Sequence, residues 1–372
     1  MKVIVLAKSI PPRSGGIERY SYELAKSYKA EGCQVTLITS GIKRSVSEDP
    51  NVGTVVSVGY GNQVYIFLKL ILVCLKNRLH ISRADIIHAT SWRLMLPTFF
   101  LKRHKEKRIV TIHGNEILKK NRLIRILMTR SMSMSDVVVA VSQYTASAFE
   151  NLSLSCQPYP NVIVSYNGVS LSAESSLAKR LSEKSTVKFF TVCRLEKRKN
   201  LEMAIQALAD LKASGVLTTS GFLYKIAGSG PELDSLKAYV KKVGLDREVE
   251  ILGRVSDEDL HRLYATSDIF LHPQLESTKD GDVEGFGLVV ADAMAMGLVT
   301  FAGGNGGTKE LIIHGETGFL VDPDNVSSLA GCIESLLAKK YSYEKISKAA
   351  IEYAKSNFKW KRHVSKIIEA IH

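Results

Sequence analysis

The sequence predicts an α/β chain of two parallel-sheet domains in tandem, and three observations predict it. The chain has 372 residues, too many for one ordinary hydrophobic core. Short runs such as Val3-Ile4-Val5-Leu6 and Val137-Val138-Val139-Ala140-Val141 are apolar without alternation, the mark of strands buried on both faces. These runs alternate with segments of helical spacing, and after a polar stretch at 170–185 the alternation begins again.

In the first half, Val3–Leu6 runs into the loop Pro11-Pro12-Arg13-Ser14-Gly15-Gly16, and helical spacing starts at Ile17. A strand, a Gly15-Gly16 loop and a helix start form a phosphate-facing arrangement. From spacing alone an ordinary tight turn fits equally. Gln34–Thr39 and Val55–Val58 are the next strands. Residues 64–79 form a helix that is apolar nearly all round, with Lys69 and Lys76 on one stripe. It reads as buried in the domain, with a membrane-dipping helix as the second reading. Asp85–His88 and Arg108–Ile112 are strands, and residues 102–108 between them are densely basic. His113-Gly114-Asn115-Glu116 follows at a carboxyl strand end, where open α/β sheets bind ligands. Lys119, Lys120, Arg122, Arg125 and Arg130 then alternate with Leu123, Ile124, Leu127 and Met128, the pattern of a basic amphipathic helix. Asp136–Ser142 is a strand and Tyr166–Val169 a turn.

In the second half, Lys188–Val192 is a strand and Asn200 is placed to cap a helix from Leu201. Arg194 and Lys199 flank the intervening turn, so a guanidinium fork and an ammonium can converge on one diphosphate. A solvated basic turn is the plain alternative. Tyr224–Pro231 is a strand and glycine turn, incomplete as a dinucleotide fingerprint because Leu233 holds the third glycine position. Val249–Gly253 and Asp268–Pro273 are strands, and Ser256 caps the helix between them. Asp280-Gly281-Asp282 reads as part of a loop rather than a metal site. Glu284 to Gly297 is a loop loosened by Gly285 and Gly287, a helix from Leu288 and a glycine cap. The first N–H groups of that helix can receive an anion. Glu284 and Asp292 then flank a phosphate-sized site, ready to accept bonds from sugar or ribose hydroxyls; two solvated acids are the alternative. Leu298–Phe301 is a strand, and a last helix covers residues 357–371.

The formal charge of +13 is unevenly placed. Residues 1–165 hold 23 Lys+Arg against 10 Asp+Glu, whereas residues 166–372 hold 27 of each. The first half therefore calls for an anionic partner, and an anionic membrane surface fits better than nucleic acid, for which no reading motif is present. The five cysteines are scattered and lack a C-x-x-C pair, which predicts reduced thiols and neither zinc nor a disulfide framework. Lys69 splits the best apolar run, so no transmembrane span is expected, and Val3–Ala7 is too short for a signal-peptide core.

Several of these segments, in this order, resemble the family 4 retaining glycosyltransferases of GT-B fold, of the bacterial cell-surface polysaccharide type. Glu284-x7-Asp292 is similar to the family's E-x7-E, with the shorter acid second. Arg194-x4-Lys199 matches R-x4-K, His113-Gly114-Asn115-Glu116 matches H-G-x-E, and Gly306-Gly307-Thr308-Lys309-Glu310 matches G-G-x-x-E. Gly15-Gly16, Ser142-x-x-Thr145, Asn167-Gly168-Val169 and Gly228-x-Gly230-Pro231 also stand in the family's places.

The resemblance implies two Rossmann-like domains facing across a cleft. Residues 1–168 would be the acceptor- and membrane-facing domain, 169–185 a linker, 186–356 the nucleotide-sugar domain, and 357–372 a helix crossing back to the first. It implies catalytic His113, Arg194, Lys199 and Glu284. Donor contacts would come from Gly15, Gly16, Gly228, Arg254, Val255, Phe286, Gly287, Leu288 and Asp292. Acceptor and membrane contacts would come from Lys102, Arg103, Lys119, Lys120, Arg122 and Arg125. No metal and no cofactor beyond the nucleotide-diphosphate sugar substrate is implied. The expected activity is metal-independent, retaining sugar transfer to a lipid-linked or glycan acceptor, peripheral on the inner face of the membrane, in surface polysaccharide, lipopolysaccharide or glycolipid synthesis. Two other classes stay open: a non-catalytic nucleotide-sugar or lipid-binding protein, and a dinucleotide-dependent oxidoreductase.

Overall fold

The fold is that of a computed structural model, described over residues 1–11, 15–76, 83–100, 105–118, 121–152, 158–171, 186–217, 221–276 and 283–372. It divides into two compact units, Met1–Gly168 with Lys359–His372, and Val169–Phe358. Both are α/β with central parallel sheets, as the apolar runs predict.

The first unit holds an eight-stranded sheet. Its strands are β1 (Lys2–Leu6), β2 (Gln34–Thr39), β3 (Arg44–Asp49), β4 (Gly53–Val58), β5 (Ile86–Ala89), β6 (Lys107–Ile112), β7 (Val137–Ala140) and β8 (Asn161–Val164). The order is β3-β4-β2-β1-β5-β6-β7-β8. β1 pairs in parallel with β2 and β5, so it lies mid-sheet, where a strand apolar on both faces belongs. All pairs are parallel except β3–β4, an antiparallel edge hairpin that the sequence reading does not anticipate. Arg-Ser-Val-Ser-Glu-Asp has no apolar run because an edge strand facing solvent needs none. Asp49 sets the turn by accepting from the backbone N–H groups of Asn51 and Val52.

Helix α1 (Gly16–Ala30) buries Tyr20, Leu24 and Tyr28. Helix α2 (Gln63–Lys76) departs from the expected burial. Ile66, Leu70 and Val73 are buried, but Tyr65, Leu68 and Leu72 are exposed, the last two by more than half. Beyond α3 (Trp92–Met95), the described part of the basic run 102–108 is exposed at Lys105 and Lys107, whereas Arg108 is buried, 2.8 Å from the buried Glu106 carboxylate. Helix α4 (Arg122–Ser133) is capped by Asn121, whose side chain accepts from Leu123 and Ile124 N–H. Ser142 caps α5 (Gln143–Glu150) by accepting from Thr145 N–H.

The second unit holds an all-parallel six-stranded sheet of order β11-β10-β9-β12-β13-β14. The strands are β9 (Val187–Val192), β10 (Phe222–Ala227), β11 (Val249–Gly253), β12 (Ile269–His272), β13 (Val299–Gly303) and β14 (Phe319–Val321). Helices α6 (Leu201–Ala213), α7 (Leu233–Lys242), α8 (Asp257–Thr266) and α9 (Leu288–Ala295) lie between strands β9 to β13, and α10 (Val326–Leu337) and α11 (Tyr343–Asn357) follow β14. Asn200 precedes α6 but does not cap it. It sits in the left-handed region, and its side chain donates to the carbonyls of Pro273 and Pro323 instead. Gly297 ends α9 as expected, with φ 77 and Leu298 N–H returning to Ala293.

The expected last helix, 357–371, is α12 (Trp360–Glu369); α11 ends before it at Asn357, and α12 packs on α1 of the first unit, with Trp360 seated against Gly168. A side chain at Gly168 would overlap the indole, which is why this position has none.

Candidate active site

In the second unit the loops after β9, β12 and β13 bring four charged or titratable side chains together. Glu284 is the hub. Its Oε2 pairs with Lys199 Nζ, lies 3.2 Å from Arg198 Nη1 and 3.8 Å from His272 Nε2. Lys199 Nζ is also 3.4 Å from His272 Nε2. Burial works to raise the Glu284 pKa, but Lys199, His272 and Arg198 hold it well below the usual carboxylate range. Burial, and then the Lys199 charge, push His272 down to about 4, so it is neutral at pH 7. His272 Nε2 faces both the Lys199 ammonium and the Glu284 carboxylate, and its Nδ1 is buried without a hydrogen-bond partner. Arg198 Nε also pairs with Glu196 Oε2 at 3.1 Å, so Lys199 and Arg198 are matched by Glu284 and Glu196, and Arg194, bonded to the same Glu196, is the surplus cation at the exposed side.

Backbone packing fixes this hub. Gly307 N–H donates to the Glu284 carbonyl over 2.7 Å. Gly287 starts α9 at φ 93 and its face meets the Thr308 methyl, so a side chain there would be both strained and crowded. Gly228, at φ 138, lies directly on the Cys193 carbonyl in the loop that carries Arg194.

The sequence-named residues divide on inspection. Lys199 and Glu284 meet; Arg194 does not join them. Its guanidinium is 76% exposed and bonds Glu196 at 2.9 Å. Asp292 is buried in α9, and its Oδ1 accepts from the backbone N–H groups of Ser170 and Leu171 at 2.9 and 3.3 Å. Phe286 is buried with its ring edge-on to Phe358, which leaves only its backbone for a ligand. Leu288 is half-buried at the start of α9. Arg254 is exposed, bonded to Ser229 at 3.0 Å, with Val255 beside it. Two members of the cluster were not singled out by sequence. Arg198 adjoins Lys199 in a run of four charges, and His272 is a lone polar end on the apolar strand Ile269–His272; those are the only signals they give.

In the first unit His113 follows β6. Its N–H donates to Glu116 Oε1 at 2.6 Å, and its Nε2–H donates to the Thr90 carbonyl at 3.1 Å. Nδ1 therefore carries the lone pair. Burial lowers its pKa despite the Glu116 charge. Gly15 caps α1 and Gly16 opens it, under the Glu18 carboxylate, which accepts from Ser9 Oγ. Arg122 and Arg125 are exposed on α4. Lys102, Arg103, Lys119 and Lys120 lie outside the described residues, as do Asp280-Gly281-Asp282. Among the described residues there is no group of three or more His, Cys, Asp or Glu that could hold a metal ion. None of the helices described is long and apolar enough to cross a membrane.

Comparison with known proteins bears on both units. Residues 14–173 match the model described as Glycosyltransferase Family 4, and residues 173–355 the model described as Glycosyl transferases group 1. A similar curated protein is the GDP-mannose-dependent alpha-(1-6)-phosphatidylinositol monomannoside mannosyltransferase of Mycobacterium tuberculosis. It is 26% identical over 388 residues, covering 99% of this chain and 97% of that one. Among solved structures, sucrose-phosphate synthase from Thermosynechococcus elongatus superposes with a TM-score of 0.79 at 18% identity, covering 100% and 98% of the two chains. The Anabaena protein HepE in complex with UDP-glucose gives 0.75 at 20% identity, covering 100% and 99%.

Proposed function

Because the chain belongs to the family 4 glycosyltransferases of GT-B fold, its two halves matching the family's two domain models end to end, we propose that it transfers a sugar from a nucleotide diphosphate with retention and without a metal ion. The observation that carries this reading is the linked group of Lys199, Arg198 and Arg194, three cations held beside the two carboxylates Glu284 and Glu196. The donor's bond from C1 to the β-phosphate oxygen breaks, and its electron pair leaves with the diphosphate. Lys199 and Arg198 supply fixed charge where that negative charge develops, with Arg194 closing from the exposed side. Glu284 accepts hydrogen bonds from hydroxyls of the sugar and keeps Lys199 in place meanwhile. The acceptor hydroxyl attacks C1 from the face the diphosphate leaves, and its proton passes to a leaving phosphate oxygen. His113 of the first unit is assigned contact with the transferred sugar on family resemblance. A ribose contact for Asp292 rests on the same resemblance, while its Oδ1 accepts from backbone amides.

A lipid-linked acceptor and a peripheral membrane position belong to the same reading. Their support is the surface of α2 and α4. Leu68 and Leu72 on one helix, and Leu123, Ile126 and Leu127 on the other, are exposed without any acidic residue in either helix. Phe99, near both, is covered by the Arg130 guanidinium at 4.7 Å. Apolar side chains with interspersed arginines suit an anionic lipid interface.

The deciding experiment is thermal shift and donor hydrolysis with UDP-, GDP- and ADP-sugars, each with magnesium and with chelator. Stabilisation by one donor, with slow sugar release indifferent to chelator, is the expected result. Turnover abolished by chelator removes the metal-free mechanism. Binding without turnover in the presence of a glycolipid acceptor favours the non-catalytic alternative.

A further inference from the structure

Behind His113 runs a chain of buried hydrogen bonds whose proton directions can all be assigned. It starts on α12. His363 Nδ1 lies 3.1 Å from the Tyr166 carbonyl, which can only accept, so Nδ1 holds the proton. His363 is neutral at pH 7, since burial pushes it down to about 4, and its Nε2 is therefore an acceptor. Tyr20 O–H, 2.9 Å away, must donate to it. The proton of Tyr20 is then spent, so Thr111 Oγ1 at 2.8 Å donates to the tyrosine oxygen. Thr111 in turn accepts from His88 Nε2–H at 2.7 Å, and Tyr28 donates to His88 Nδ1 at 2.9 Å. One backbone carbonyl thus fixes five side chains in a single orientation, all of them buried.

The ring of Tyr20 is what this chain holds still. It meets His113 edge-on, with centroids 4.7 Å apart at 81°. Trp360 and His363 of α12 pack on its other sides, each with centroids 5.6 Å away. His113 has its own tie only at Nε2, to Thr90, so its ring plane can still swing about that bond. The packed edge of Tyr20 removes that freedom.

We propose that Tyr20 and His363 are positioning residues for His113: the C-terminal helix fixes Tyr20, and Tyr20 fixes the imidazole that the proposed function assigns to the transferred sugar. The inference rests on the reading that His113 contacts the transferred sugar. It assigns to α12 a part in turnover, beyond filling the face of α1.

The test is a coupling measurement on the full chain, with hydrolysis of GDP-mannose and of UDP-glucose as the assayed reactions. Tyr20→Phe keeps the ring and removes the hydroxyl. It should lower kcat about tenfold with donor KM within about twofold, because misorientation is felt in the transition state rather than in binding. In a His113→Ala background the same change should cost nothing further. His363→Leu should behave as Tyr20→Phe, and His363→Gln, whose amide oxygen reaches the place of Nε2, should recover most of the loss. Equal losses in both backgrounds, or a glutamine no better than leucine, overturn the proposal. If His113→Ala alone leaves turnover unchanged, the sugar contact fails and the inference with it. If His113→Ala abolishes turnover while Tyr20→Phe is silent, only the positioning role fails. Nitrogen-15 histidine spectra need no donor: they should give Nδ1–H on His363 and Nε2–H on His88 and His113, with His113 shifted by Tyr20→Phe. An unshifted His113 overturns the proposal even where neither sugar nucleotide is turned over.

Discussion

Lys199 and Arg194 look equivalent as two cations five residues apart, yet they occupy opposite environments. Lys199 is almost wholly buried and paired with Glu284, whereas Arg194 extends into solvent beside Glu196. Lys199→Met is therefore expected to cost on the order of 3 kcal/mol of stability, since it leaves Glu284 inside with less compensation, and to reduce kcat/KM at least about a hundredfold. Arg194→Met should leave the melting temperature within about 1 °C while reducing turnover roughly tenfold, because exposed pairs contribute little to stability. Equal melting shifts in the two variants would mean that the burial difference is not felt. A second residue-scale test concerns Gly228, whose added methyl would run into the Cys193 carbonyl. Gly228→Ala should destabilise by roughly 2 kcal/mol and weaken donor binding, read by urea denaturation and by titration with the donor. The identities of Lys199 and Glu284 were legible as motif members. Their pairing was not, because 85 residues separate them and only the fold brings them together. The backbone partners of Asp292 were equally hidden: an acid two helical turns beyond Glu284 has the spacing for a shared ligand, and only the course of the chain at Ser170 and Leu171 shows what its Oδ1 bonds.

Elements were legible in proportion to their burial. β1 and β7 announce themselves because a strand covered on both faces is apolar along nearly its whole length. β3 announces nothing, since its side chains face water and its partner strand supplies the pairing. α2 misleads in the opposite direction: its apolar stripe at Tyr65, Leu68 and Leu72 points outward, so hydrophobicity there reports a surface rather than a core. The same holds for Leu123 and Ile126 of α4, 64% and 57% exposed. Exposed apolar side chains contribute little to folding, which gives a clean separation. The double change Leu123→Ser and Ile126→Ser should alter stability by no more than about 0.5 kcal/mol. It should also weaken sedimentation with phosphatidylglycerol vesicles several-fold. Arg122→Gln with Arg125→Gln should weaken the same binding by about 1 kcal/mol per charge, and the effect should shrink in high salt. Vesicle binding that ignores both pairs would place the lipid contact elsewhere on the chain.

At the scale of the whole molecule, the buried imidazoles make stability depend on pH in a direction their environments set. His272 in one unit and His363 in the other are both pushed down to about 4 from an ordinary 6.5, and His88 is lowered as well. Each is neutral in the folded protein, while in the unfolded chain each takes up a proton below about pH 6.5. The unfolded state therefore binds more protons between pH 6.5 and 4, and stability must fall as pH is lowered through that window. At about 1.4 kcal/mol per pH unit, each of the two imidazoles can contribute up to about 3 kcal/mol. Glu284 adds a term of the same sign at lower pH: its folded value lies below the ordinary 4.5, so its contribution is complete above that value and is lost beneath it. Urea midpoints should thus be flat above about pH 7 and distinctly lower at pH 5. Because His272 and His363 lie in different units, His272→Gln should flatten the fall for one and His363→Gln for the other, so that two transitions separate at acid pH if the units unfold independently. A midpoint unchanged between pH 7.5 and 5.0 would require these imidazoles to be solvated in the folded state, and with them the relay behind His113 and the cluster around Glu284 would lose their basis.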